Sequence, residues 1–227
     1  MKLELPKLIL ASASPRRAEI LTAVGWEFEK HAAEIDETEL PNEKPADYVQ
    51  RLAGEKAVAV AGQYKNRLVL GADTIVVIKN KIIGKPKDLA DARQMLRMLS
   101  GNWHEVLTGV AIVSSQLSVV SSQKESDAAM SEPSAVADGL NLKFVVGIQR
   151  TRVKFAELSD AEIEFLIERG EPLDKAGAYA AQAQAALFIE QIKGDYWNVV
   201  GLPVSLVYEL VAQINVKTNA KKNRISI

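Results

Sequence analysis

The 227-residue chain reads as an α/β protein built on a mixed β-sheet flanked by helices. Three observations predict this: short runs of β-formers alternate with amphipathic helical stretches, one strand-like run is apolar almost throughout, and turn signals late in the chain read as hairpins. A sheet made only of parallel crossovers would have no such hairpins.

The first run, Leu8-Ile9-Leu10-Ala11, is too short for a helix and reads as a buried strand. Ser14-Pro15 then opens a helix to about Val24, with Ser14 as N-cap and Pro15 in the first turn. That turn carries Arg16 and Arg17 where acidic residues are favoured, with the Ser12 and Ser14 hydroxyls beside them. Two readings stand here: an ordinary solvated arginine pair, or hydroxyls, guanidiniums and helix N–H groups converging on phosphate. An acidic cluster follows at Glu34, Asp36, Glu37 and Glu39, either a solvated loop or a metal site at a sheet edge.

Pro45 starts a second helix whose apolar stripe is Val49, Leu52, Ala53, Ala57 and Val60, and Lys56 falls on that stripe. It either snorkels outward or reaches over the core edge to an anion. Leu68–Ile78 is the near-continuous apolar strand, interrupted by Asp73-Thr74. A carboxylate there needs a partner or a cation, because an isolated buried charge is strongly disfavoured. Asp88 caps a third helix closed by Gly101, and Trp103–Val113 reads as strand. Residues 114–141 turn to Ser, Gln, Ala, Asp and Glu and read as an exposed, mobile insertion in a single domain, not a second domain. Leu142–Phe155 returns as strand, and Ser159-Asp-Ala-Glu162 is a capping box. Ala185–Ile192 and Tyr196–Val200 read as a hairpin about Lys193-Gly194-Asp195. Gly201-Leu-Pro203 opens a last helix, and residues 216–227 read as a polar tail.

Composition narrows the function. There are 28 Lys and Arg against 29 Asp and Glu, so no basic footprint argues for nucleic acid or an anionic membrane. Cysteine is absent, which removes disulfides, thiolate zinc sites and cysteine nucleophiles and suits the cytoplasm. With only two histidines, any metal would be a hard ion held by oxygen. MKLELPKLILASA imitates a secretory leader, but its apolar stretch of about four residues falls short of the roughly 7–15 needed.

Seven motifs in order make the chain resemble the Maf proteins, regarded as nucleotide pyrophosphatases: Ser12-x-Ser14-Pro15-Arg16-Arg17, Glu34-Ile-Asp-Glu37, Glu55-Lys-Ala57, Gly71-Ala-Asp-Thr74, Gly84-Lys-Pro86, Asp174-Lys-Ala-Gly-Ala-Tyr179 and Gly201-Leu-Pro203. The resemblance implies an inosine-triphosphatase-like fold with two lobes around a nucleotide cleft, and a homodimer. It implies that Asp73 is the general base, that Lys56 and Lys85 act with it, and that Ser12, Ser14, Arg16 and Arg17 hold the triphosphate. It also implies a divalent cation on Asp36 and Asp73: Mg²⁺, with Mn²⁺ or Co²⁺ as alternatives. In the dTTP/UTP branch the specificity positions correspond to Arg16, Thr74 and Gln182. That branch usually carries a bulky apolar residue before the glutamine and glycine after it, where this chain has Ala181 and Ala183. A branch acting on 7-methyl-GTP, and a non-enzymatic nucleotide-binding regulator of cell division, are the alternatives. The expected partner is a nucleoside triphosphate, with no nucleic acid and no membrane.

Overall fold

The computed structural model describes residues 4–117, 136–137 and 140–222. Eight strands form one sheet: β1 (Leu8–Leu10), β2 (Phe28–Lys30), β3 (Leu68–Ile78), β4 (Lys81–Ile83), β5 (Trp103–Leu117), β6 (Val136–Ala137), β7 (Leu140–Phe155) and β8 (Ile189–Lys193). Their order is β2-β1-β3-β5-β7-β6, with β4 also on β3 and β8 also on β7. The two pairings of β1 are parallel and the others antiparallel, so the sheet is mixed as expected. Helices α1 (Pro15–Ala23), α2 (Pro45–Ala61), α3 (Leu89–Leu99), α4 (Asp160–Arg169), α5 (Tyr196–Val200) and α6 (Val204–Lys222) flank it.

The long strand β3 explains where a site can form. On one side it pairs with β5 from Leu68 to Val77. On the other side β1 covers only Leu68–Leu70 and β4 only Val76–Ile78. Between them, 71–75 has no strand neighbour on that edge among the described residues. Two cores lie on either side of this gap. One gathers Leu8, Leu10, Ile20 and Leu21 with Leu210 and Ile214, and the other gathers Ile83, Leu96, Phe155, Ile163 and Leu166. The expected two lobes are these cores, and the cleft opens between them.

Helix α2 lies against the backbone of β3 and β5, because glycines let it. A Cβ added at Gly71 would fall 2.1 Å from the Ala53 carbonyl oxygen, and one at Gly109 2.1 Å from that of Val49. Gly109→Ala should therefore cost more than ordinary overpacking, about 1–3 kcal/mol, since backbone must yield. A urea midpoint that falls with an unchanged slope is the expected measurement, with lower activity because the helix carries Lys56.

Three expectations are corrected. Tyr196–Val200 is helix, not the second strand of a hairpin: the Asp195 carboxylate caps it, accepting from Trp197 N–H at 2.7 Å, and β8 pairs with β7 instead. The expected insertion is narrower than 114–141, since the β5–β7 ladder runs out to Leu117 opposite Leu140; 118–135 and 138–139 lie outside the described residues. Helix α6 continues to Lys222, into the stretch expected as a tail, of which 223–227 lies outside the described residues. The N-caps of α3 and α4 fall as expected. Asp88 accepts from Asp91 N–H at 2.8 Å, and Ser159 and Glu162 close the capping box.

Candidate active site

The cleft beside 71–75 has a volume of about 620 Å³, within the range of small-molecule sites. Of the expected site residues, Ser12, Ser14, Arg16, Arg17, Lys56, Asp73, Thr74, Lys85 and Gln182 line it; Asp36 does not.

Asp73 and Lys56 form its centre. Both are buried, and Lys56 Nζ donates to Asp73 Oδ1 at 2.6 Å. The ammonium also meets Glu37 Oε1 at 2.7 Å, so it bridges two carboxylates. Burial works to raise the Glu37 pKa, but Lys56, with Lys85 and Arg17 behind it, holds the group below the usual carboxylate range. Glu37 itself is placed from α2. Tyr48 Oη donates to the Glu37 carbonyl at 2.8 Å, and Arg51 donates to the Thr38 carbonyl at 3.1 Å. Burial, and then the Asp73 and Glu37 charges, push the Tyr48 phenol up to about 12.

Asp36 is not brought to Asp73. Its Oδ1 accepts from Thr38 N at 2.9 Å and from Thr38 Oγ1 at 2.6 Å, turning the carboxylate into its own loop. Glu37, the next residue, is the acid of this cluster that meets Lys56 beside Asp73. One cationic nitrogen sits between Asp73 and Glu37, so both carboxylates reach the same point of the cleft. Two hard oxygens would leave most of an octahedral shell to phosphate and water, as Mg²⁺ accepts. Among the described residues no group of three potential ligands exists.

Arg17 is buried and fixed on three sides. Nε donates to the Gly201 carbonyl at 3.0 Å, Nη1 to Ser12 Oγ at 3.0 Å and Nη2 to Thr74 Oγ1 at 3.1 Å. Burial lowers its pKa, with the Asp73 charge opposing. Two of its five N–H groups remain to be aimed into the cleft. Ser12 and Thr74, expected as nucleotide contacts, hold this guanidinium. Ser12 Oγ further accepts from Ser14 N–H at 3.2 Å, leaving its own proton for an acceptor in the cleft. Ser14 occupies the N-cap position of α1 without a side-chain cap bond. Thr74 Oγ1 lies 2.9 Å from the buried Thr108 Oγ1 on β5.

The opposite lobe supplies Lys85, exposed beside the cleft, and the loop 171–183. Arg16 Nη1 donates to Asp174 Oδ2 at 2.9 Å, and Lys175 Nζ to Asp174 Oδ1 at 2.6 Å. Burial works against the Asp174 carboxylate, yet Lys175 and Arg16 hold it below its usual range. Asp174, Glu37 and Tyr48 are absent from the expected set. The first two lay in motifs whose acids could have been weighed individually; Tyr48 gave no signal beyond its place one turn into α2. Behind the loop, His104 Nε2 lies 2.7 Å from Tyr179 Oη.

Burial lowers the His104 pKa from 6.5 to about 4. The neutral ring belongs to the folded state, so this stability is present above pH 6.5. It is lost on acidification, as the unfolded chain takes up the proton first, by about 2 kcal/mol at pH 5. Urea unfolding at pH 7 and pH 5 measures it.

A model of the family described as Maf-like protein matches residues 7–214. The chain belongs to the Maf family. Similar proteins in the family include the "dTTP/UTP pyrophosphatase" of Anaeromyxobacter dehalogenans, 47% identical over 200 residues and covering 88% of this chain and 90% of the relative. Those of Geobacter sulfurreducens (45%; 93% and 98% covered) and Hahella chejuensis (43%; 93% and 94% covered) carry the same description. The solved structure of the Staphylococcus aureus Ham1 protein aligns with a TM-score of 0.39 at 12% identity, over 66% of this chain and 72% of that one. That likeness is too slight to inform the fold, which rests on the sheet order above. No helix among the described residues is long and apolar enough to cross a membrane.

Proposed function

We propose that this Maf protein is a nucleoside triphosphate pyrophosphatase that hydrolyses dTTP and UTP to the monophosphate and pyrophosphate. The observation that carries this reading is Asp73. A site that only bound polyphosphate would gain little from a carboxylate in the wall of its cleft, since without a bridging cation it repels phosphate; a hydrolase can use it as a base.

In this reading Asp73 accepts the proton of a water whose oxygen bonds to the α-phosphorus. The bridging bond to the β-phosphate breaks, and pyrophosphate leaves with the electron pair. Arg16, Arg17, Lys56 and Lys85 meet the charge that develops on it. Asp73 and Glu37 are the groups that would hold a divalent cation, which when bound supplies further neutralisation of phosphate charge. The substrate is a free nucleotide in the cytoplasm, the protein acting as a homodimer; the net charge of −1 supports a small-molecule partner over nucleic acid.

The pyrimidine preference draws support from the relatives' descriptions and from Gln182, whose amide can match the O4 and N3–H of uracil and thymine. An unpaired polar group costs ~1–3 kcal/mol, so UTP and dTTP should be preferred over CTP and GTP by about five- to a hundred-fold. Values of kcat/KM for the four nucleotides in wild type and Gln182→Ala test this. Ratios unchanged by the substitution would remove the chemical basis for a pyrimidine site.

A further inference from the structure

Beyond the cations the cleft becomes apolar. Val76 and Val106 face each other across β3 and β5 and line it with Tyr179, Ala180 and Val200. They lie two residues along the ladder from Thr74 and Thr108, about 7 Å. Among the described residues, the one side-chain amide at the cleft is that of Gln182, on the loop that also carries Tyr179.

That loop is irregular backbone. Glu171, Gly177 and Ala178 all have left-handed φ values of 46°, 70° and 64°. Gln182 is exposed and makes no hydrogen bond with the described residues. Its sequence neighbours Ala181 and Ala183 are both small, and Ala181 is buried in the same core as Ala185. Tyr179 is the anchor instead. The residue is 8% exposed, and its ring packs edge-on against Phe155 and His104, with centroids 4.9 and 5.5 Å away. Its hydroxyl has one partner among the described residues, His104 Nε2 at 2.7 Å. His104 is 2% exposed, and its Nδ1 is buried with no partner among them. An imidazole is therefore unfavourable here except for what it does for Tyr179; an apolar side chain would fill the space without an orphaned nitrogen.

Resting on the nucleotide reading above, we propose that His104 is a positioning residue for nucleobase recognition. Its hydrogen bond to Tyr179 fixes the aromatic wall of the base subsite and the placement of the loop that presents Gln182. A direct bond in apolar surroundings is stiff. Because burial keeps the imidazole neutral down to about pH 4, the tie holds across the physiological range.

Two variants separate this role from a merely structural one. Tyr179→Phe keeps the ring and removes the bond. His104→Leu/Tyr179→Phe replaces both partners with apolar groups and leaves no polar atom stranded, which favours retention of stability. Titration calorimetry on the full chain with UMP probes the base half of the cleft, and inorganic pyrophosphate probes the phosphate half. In both variants UMP should bind about ten-fold more weakly, and the UTP-over-CTP ratio of kcat/KM should shrink by a similar factor. Pyrophosphate affinity should stay within about two-fold, with thermal unfolding showing the double variant folded. UMP binding at wild-type strength in the folded double variant overturns the proposal. So does an equal loss for pyrophosphate, or a wild type that takes up pyrophosphate but no UMP. Nucleotide binding without turnover would instead sink the hydrolase reading, and the UMP and pyrophosphate comparison would still decide the role of His104.

Discussion

Asp73→Asn should lower kcat for UTP by ~10²–10⁴-fold, the usual worth of a positioned general base, with the fold intact. The substitution is isosteric, and the new amide's oxygen can still accept from Lys56, which keeps its second partner in Glu37. KM should change less than kcat, because the lost charge itself repels phosphate and Glu37 remains to help hold a cation. Kinetics with UTP beside a thermal melt distinguish the cases. A loss under ten-fold would remove Asp73 from the role of base.

Lys56→Met should damage both activity and stability. Snorkelling would have made this substitution harmless to the fold, but the ammonium is buried and bridges Asp73 and Glu37. Methionine packs well on the α2 stripe yet leaves the Asp73 carboxylate without its partner. Breaking a buried pair costs about 3–5 kcal/mol, and the open cleft places this one toward the lower end. Adding Asp73→Asn to Lys56→Met should recover most of that stability and none of the activity. Urea unfolding of the two single variants and the double variant gives the coupling directly. If Lys56→Met alone is as stable as wild type, the pair contributes little and the helix face tolerates a neutral side chain.

What is legible in the sequence rests on patterns with a local cause. Lys56 was legible because it interrupts an apolar stripe, and Asp73 because it interrupts an apolar strand. The caps at Asp88 and Ser159 involve groups three residues apart, so spacing alone reveals them. Asp36 and Glu37 could not be separated by type, since adjacent residues of an extended loop point to different sides. The Asp-x-Thr turn that captures Asp36 was the available signal. The hairpin reading of Tyr196–Val200 failed because β-branched residues after Gly-Asp suit a strand. Tertiary bonds decide otherwise there. The buried Asn198 amide donates to the Val106 carbonyl and to Thr151 Oγ1, both at 3.0 Å. Arg16 and Asp174 meet across 158 residues of chain, and no local rule anticipates that pair.

In the proposed reaction, water activated at Asp73 attacks the α-phosphorus. Hydrolysis of UTP by the purified protein with Mg²⁺ in ¹⁸O-water, followed by ³¹P NMR of the products, tests it most directly. UMP and pyrophosphate are expected in equal amounts, with the heavy oxygen in UMP alone. Label in pyrophosphate, release of UDP and orthophosphate, or no turnover would contradict it.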